Sequence, residues 1–207
     1  MLTDSHAHLI HGLTPLEAVQ ATLAAAAQAG VSRIINIATS KEELVKGIEL
    51  KKSYDWIDLA AATHPHQAAE YLEAFDFFEQ QALKGHCVAI GEIGLDYHYD
   101  FVSKDQQRVC FEAYLDLAQR LHLPVIIHCR EAFEDFFAIM KAYPKLRGVL
   151  HCFTGHMQDA RGVLDMGWFI SFSGIVTFKK SVELQEIAKA CPIVSMLIET
   201  DSPYLAP

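Results

Sequence analysis

His6 and His8 stand two residues apart in Leu2-Thr3-Asp4-Ser5-His6-Ala7-His8-Leu9, so both imidazoles share one face if the segment is a strand. By the same count Asp4 shares that face. Four further donors each follow a short apolar run: Glu92 after Cys-Val-Ala-Ile-Gly, His128 after Pro-Val-Ile-Ile, His151 after Gly-Val-Leu, and Asp201 after Met-Leu-Ile-Glu-Thr. Four histidines and two carboxylates are a hard-to-borderline donor set suited to Zn²⁺, Mn²⁺, Fe²⁺ or Mg²⁺, with no thiolate needed. A tetrahedral catalytic site takes three protein ligands and keeps one position open, so six donors point to two divalent metal ions sharing a carboxylate. Glu92 is the natural bridge, with His6, His8 and Asp201 on one ion and His128 and His151 on the other.

Two such ions lower the pKa of a shared water and stabilise both the attacking and the leaving oxygen of an in-line displacement, which is hydrolysis. Asp201 is assigned as general base because it can touch both an ion and the water; in Asp201-Ser202-Pro203 the alternative is a turn aspartate. His64, ending another apolar run, and Arg130, two residues after His128, are candidates to bind a phosphate oxygen, Arg130 bidentately. Asp96, Glu131 and Glu199 are candidate partners that fix ligand imidazoles in one tautomer, with ion pairs to loop lysines as the alternative. Cys129 and Cys152 directly follow ligand histidines, which turns them to the helix side and into the core. His66 reads equally well as a solvated loop residue, and His11, His86, His98, His122 and His156 as surface or capping residues.

Positioning these groups requires many strand ends around one point. Apolar, β-branched runs at 2–9, 33–38, 57–62, 88–92, 124–128, 148–151, 168–173 and 194–200 read as strands. Between them lie helical patterns: one opened by Thr14-Pro15 and stopped by Gly30, one capped by Ser40, and others over 67–83, 103–121, 131–143, 160–166 and 182–190. The helix over 103–121 is expected to bury a stripe of Val109, Tyr114, Leu117 and Leu121, and Gly91 and Gly94 to leave room for a ligand beside Glu92. Strict alternation makes the chain α/β, with a parallel sheet buried on both faces. An open sheet feeds a site from about two strands at its switch point. Here six strands end in histidine or carboxylate, which selects a closed (β/α)₈ TIM-type barrel with the site at its C-terminal mouth. Residues 1–207 form a single domain without a linker or internal repeat, and the pattern supplies seven helices, the last one missing.

The net charge is −9 and the sequence pI about 5.6, which excludes a broad basic face that would hold a polyanion by counterion release. Any nucleic acid must be gripped locally. Five scattered cysteines form no C-x-x-C pair, and no leader pattern or membrane-length apolar run is present, so a cytoplasmic protein away from membranes is expected.

The motifs Asp4-Ser5-His6-Ala7-His8-Leu9, Gly91-Glu92-Ile93-Gly94-Leu95-Asp96-Tyr97, His128-Cys129-Arg130, His151-Cys152-Phe153-Thr154-Gly155 and Glu199-Thr200-Asp201-Ser202-Pro203-Tyr204-Leu205-Ala206-Pro207 span the chain. In that order they resemble the TatD-type metal-dependent hydrolases, often described as deoxyribonucleases, within the amidohydrolase-like barrels. The resemblance implies a (β/α)₈ barrel with divalent ions on His6, His8, Glu92, His128, His151 and Asp201. It also implies a phosphodiester substrate, commonly DNA cut from the 3′ end, with Mg²⁺ or Mn²⁺ supporting activity. Ile10 stands where the family usually has an acidic residue. Family members also continue past Leu-Ala-Pro through a basic loop and further helices, whereas this sequence stops at Pro207. The corresponding expectation is a seam beside the eighth strand, with Leu197 or Ile198 and Leu9 or Ala7 facing water. In the same fold, an ester or amide hydrolase such as an aminoacyl-tRNA deacylase is the alternative function, and an inactive metal-binding remnant is a third.

Overall fold

The computed structural model describes residues 2–12 and 14–205. Ala206 and Pro207, the end of the last motif above, lie outside the described residues. Eight parallel strands, β1 (Leu2–Ala7), β2 (Val31–Ala38), β3 (Ile57–Ala61), β4 (Ala89–Asp96), β5 (Val125–Arg130), β6 (Gly148–Leu150), β7 (Phe169–Phe172) and β8 (Met196–Ile198), pair in sequence order into a nearly closed barrel. Between them run α1 (Leu16–Gln28), α2 (Lys41–Ser53), α3 (Leu72–Leu83), α4 (Lys104–Leu121), α5 (Phe133–Met140), α6 (Met157–Asp165) and α7 (Val182–Ala190). Ile37, Ala60, Ala89, Ile126 and Val149, with Phe169 and Leu197 against them, fill the barrel interior. A second, larger apolar layer joins the outer strand faces to the helices.

Helix starts follow local chemistry. Ser40 caps α2 by accepting from the Glu43 amide, while Glu43 returns to the Ser40 amide, a complete capping box. Pro15, in extended backbone, takes the cap position of α1 in place of Thr14. The helix expected over 67–83 divides into a 3₁₀ turn at Pro65–Glu70 and α3, and the one expected over 131–143 is trimmed to Phe133–Met140.

Three expectations need correction. Val109 is exposed, and α4 instead buries Gln107, Cys110, Phe111, Tyr114, Leu115, Leu117 and Ala118. Five residues along a helix rotate the side chain by about 140°, so Val109 cannot share the Tyr114 stripe. The glycines of β4 do not make room for a ligand. A Cβ on Gly94 would stand 2.0 Å from the His128 carbonyl oxygen, and one on Gly91 2.7 Å from Ile126 Cβ, so both let β4 close against β5. Asp4 does not share the His6 face, because the register slips between Asp4 and Ala7 and breaks the strand alternation.

That slip serves barrel closure. The Asp4 carboxylate accepts from the Thr200 amide at 3.0 Å and the Thr200 hydroxyl at 2.6 Å. Ser5 Oγ donates to the Ile198 carbonyl at 3.0 Å and lies 2.9 Å from Ser171 Oγ. Above these, the His8 amide donates to Ser202 at 2.7 Å and the Asp201 amide to His6 at 2.9 Å. Along β8 and the turn before it, Ile193, Val194 and Ile198 are open to solvent. Leu197, by contrast, faces the barrel interior, and Ala7 and Leu9 are buried.

Candidate metal centre

The six donors named from the sequence converge at the C-terminal mouth. β1 and its continuation supply His6 and His8, β4 supplies Glu92, β5 supplies His128, and His151 and Asp201 follow β6 and β8. Asp201 has φ +56° and Cys152 φ +41°, left-handed conformations that L-residues adopt at a cost. Both positions lie just past a strand end, β6 ending at Leu150 and β8 at Ile198.

Glu92 is the centre of the arrangement, and its two oxygens face different donor sets. Oε2 lies 3.5 Å from His6 Nε2 and 3.6 Å from His8 Nε2, while Asp201 Oδ1 lies 3.5 and 3.6 Å from the same two nitrogens. The two imidazole nitrogens are 3.2 Å apart. A tetrahedron whose corners lie 2.0–2.1 Å from a central ion has edges of about 3.3–3.4 Å, so these separations fit the ligands of one divalent ion. On the other side, Glu92 Oε1 lies 2.6 Å from His151 Nε2, 3.0 Å from His128 Nδ1 and 3.4 Å from His64 Nε2. His151 Nε2 and His128 Nδ1 are 3.4 Å apart. The two imidazole nitrogens of this second set stand at the separation of two ligands of one ion, while Glu92 Oε1 is within hydrogen-bond distance of both, and His64 adjoins the same oxygen.

Buried carboxylates fix the imidazoles. Asp96 Oδ2 lies 2.9 Å from His128 Nε2 and accepts its proton, which orients the ring with Nδ1 toward Glu92 Oε1 at 3.0 Å. Glu199 Oε1 lies 3.3 Å from His151 Nδ1 and accepts from the Cys152 amide at 2.7 Å, which orients His151 with Nε2 toward Glu92 Oε1. Of the three carboxylates considered for this task, Glu131 does not serve it; it is exposed and pairs with His98 at 2.7 Å.

The charges of the mouth are set by burial and by neighbouring groups. Burial opposes ionisation of Glu92, yet the surrounding His151, His64 and His128 keep it well below the usual carboxylate range. His151 is raised well above the ordinary imidazole value, despite its burial, by Glu92 and Glu199 on either side. Burial pushes His8 down to about 3 and His64 down to about 4, towards the neutral form that can act as a ligand. Asp201 is raised by burial, against His151 and His6, which makes it a stronger base than an exposed aspartate. Despite its burial, His128 is raised as well, by its hydrogen bonds to Asp96 and Glu92, so the positive charge on His128 and His151 balances the carboxylates at the mouth, while His8 and His64 stay neutral.

A cleft of about 740 Å³ opens above these groups, lined by His8, His64, Glu92, His128, His151 and Asp201, with Arg130 on its wall. A cavity of about 990 Å³ at the opposite end of the barrel is larger, but its lining holds none of the six donors. Cys129 is buried as expected and Cys152 half-buried, its Sγ 3.1 Å from Ser173 Oγ, but both border the cleft. His156 and His122 do cap helices, at the start of α6 and the end of α4. His66 is no mere solvated residue: its Nε2 lies 2.9 Å from the same Asp96 oxygen that holds His128. Gln107 also went unmarked in the sequence. It accepts from the Asp96 amide at 2.8 Å and donates back to the Asp96 carbonyl at 2.9 Å, and the available signal was a glutamine on the buried stripe of α4.

Known proteins share this arrangement of chain. The sequence model of the family described as TatD related DNase matches residues 3–207. An uncharacterized metal-dependent hydrolase of Bacillus subtilis, YabD, is 38% identical over 213 residues, covering 100% of this chain and 82% of its own. A 3'-5' ssDNA/RNA exonuclease TatD of Erwinia tasmaniensis is 39% identical over 187 residues, covering 88% of this chain and 72% of its own. The crystal structure of YJJV, a TatD homolog from Escherichia coli K12, superposes with a TM-score of 0.88 at 31% identity, covering 99% of this chain and 80% of that one. The chain belongs to the TatD related DNase family.

Proposed function

We propose that the protein is a hydrolase of phosphodiester bonds in DNA or nucleotide substrates, of the 3′ exonuclease type, working with two divalent ions drawn from Mg²⁺, Mn²⁺ and Zn²⁺. The observation that carries this reading is the division of Glu92, with Oε2 toward His6, His8 and Asp201 and Oε1 toward His128 and His151. A shared carboxylate between two such sets is the arrangement two-ion phosphoryl chemistry requires. The ions, when bound, supply Lewis acidity and lower the pKa of the attacking water.

The chain's own residues do the rest. Asp201 takes the proton of the water whose oxygen bonds to phosphorus; the bond from phosphorus to the leaving oxygen breaks, and that oxygen is protonated from solvent. Arg130, on the cleft wall, grips a non-bridging phosphate oxygen. His64 lies on the opposite side of Glu92 from Asp201, where its neutral ring can line the phosphate position or complete the second donor set. The cysteines Cys87, Cys110, Cys129, Cys152 and Cys191 are all free, which supports a reducing, cytoplasmic setting. Among the described residues no helix is long and apolar enough to cross a membrane.

The test is a substrate panel on protein stripped with chelator and reloaded with each ion in turn. Release of nucleotides from a single-stranded oligonucleotide, restored by at least one ion, is the expected result. Faster turnover of a carboxylic or aminoacyl ester than of any phosphodiester under every ion would replace this reading with the carbonyl hydrolase.

A further inference from the structure

Beside the metal centre, the loop from β4 to α4 presents two aromatic rings that no core packing explains. Tyr99 and Phe101 stack at 5.1 Å with planes 18° apart, yet they remain 40% and 65% exposed. The loop is held in place: the His98 and Tyr99 amides donate to Asp96 Oδ1 at 3.0 and 3.3 Å, the carboxylate that also holds His128 and His66. His66 in turn meets both rings edge-on, at 5.4 Å from Tyr99 and 4.9 Å from Phe101. The ring pair is therefore tied, through one carboxylate and one imidazole, to the second donor set.

Arg130 completes the group. Its guanidinium lies 5.1 Å from the Tyr99 ring centre, and it is the one arginine or lysine among the described residues lining the cleft. It makes no ion pair among the described residues, and the nearby Glu131 is engaged with His98 instead. Its strand neighbour Asp96 is directed at His66 and His128.

We infer that Tyr99 and Phe101, with Arg130 beside them, form a subsite on which an unpaired nucleobase stacks while its phosphate reaches the metal centre. The inference rests on the phosphodiesterase reading above. A chain of net charge −9 cannot rely on counterion release for grip, and stacking on an aromatic ring is uncharged and tolerant of sequence. A base inside a duplex has both faces covered by its neighbours, so the rings select single-stranded or frayed ends. A planar guanidinium next to the rings suits the phosphate that follows a stacked base.

The test compares a short single-stranded oligonucleotide with the same strand abasic at its terminal positions, for the wild type, Phe101→Leu, Tyr99→Leu and Phe101→Trp. Base stacking on an aromatic ring is worth a factor of roughly 5 to 150 in affinity, so the wild type should prefer the intact strand in KM by that order. The leucine variants should lose the preference, with kcat moving less than KM, and Phe101→Trp should keep it. A second readout is independent of turnover: 2-aminopurine at the strand terminus should be quenched on binding by the wild type and far less by Phe101→Leu. If neither strand is cleaved but the quenching holds, phosphodiesterase action fails and the subsite stands. Equal KM for intact and abasic strands with no quenching, or an unchanged preference in both leucine variants, overturns the subsite.

Discussion

Glu92 and Asp201 are both buried carboxylates at the mouth, but their surroundings set them different tasks. Glu92 is encircled by imidazoles and stays ionised, which suits a bridge; Asp201 has histidines on one side only and is raised by burial, which suits a base. Asp201→Asn keeps the size but cannot take a proton, so kcat should fall by about 10²- to 10⁴-fold with secondary structure unchanged. Steady-state kinetics of the purified variant check this, and a loss below about tenfold would move the role to another group. Asp96→Asn acts differently. Its amide nitrogen can face only one of His66 and His128, and the tautomer of His128 is no longer imposed, so affinity for the second ion should drop by about 10- to 100-fold. Calorimetric titration with Mn²⁺ should show one weakened site and one near normal; two unaffected sites would mean that Asp96 serves only the loop.

At the scale of elements, the sequence made most of the barrel legible because the strands are short apolar runs, six of which end in histidine or carboxylate. A polar residue at the C-terminal end of a barrel strand is by geometry at the mouth. His6, His8, Glu92, His128, His151 and Asp201 could all be picked out for this reason. Residues whose role depends on a neighbouring element were not legible. Asp4 clamps Thr200 across the seam between β1 and β8, Gly94 accommodates the His128 carbonyl, and His66 shares Asp96 with His128. Spacing along one strand says nothing about such partners. Gln107 is the sharpest case: from inside the apolar face of α4 it satisfies both backbone groups of Asp96 and donates to the Val102 carbonyl at 3.0 Å. Gln107→Leu fits the apolar stripe but strands a buried amide and carbonyl, at about 1–3 kcal/mol for each group left unpaired. Urea unfolding should report a loss of about 2–6 kcal/mol, with weaker metal retention. A variant as stable as the wild type would mean that water replaces the side chain without penalty.

For the whole molecule, the distinguishing feature is how the barrel closes. β1 to β8 pair in sequence order, and the gap between β8 and β1 is bridged by Asp4, Ser5 and two backbone hydrogen bonds beneath the metal centre. His6 and His8 lie on one side of this gap and Asp201 on the other, so the first donor set spans the seam. On the proposed reading closure and ion binding would be coupled: an ion held by His6, His8 and Asp201 would tie the seam, and the Asp4 clamp would hold those residues within reach. Because the ion binds the folded state, it should stabilise the protein by about 2.7 kcal/mol at a hundredfold excess over its Kd, and chelation should lower Tm. Asp4→Ala should remove the clamp on Thr200 and leave the buried His6 amide, which donates to Asp4 at 3.3 Å, without its acceptor, at about 1–3 kcal/mol. It should also misplace Asp201, so that Mn²⁺ raises Tm less in the variant than in the wild type. Thermal melts of both proteins, with chelator and with Mn²⁺, give the four values needed. Equal gains from Mn²⁺ in the two proteins would show that the clamp stabilises the barrel without preparing the metal site, while an unchanged Tm in chelator would mean that the backbone bonds close the barrel unaided.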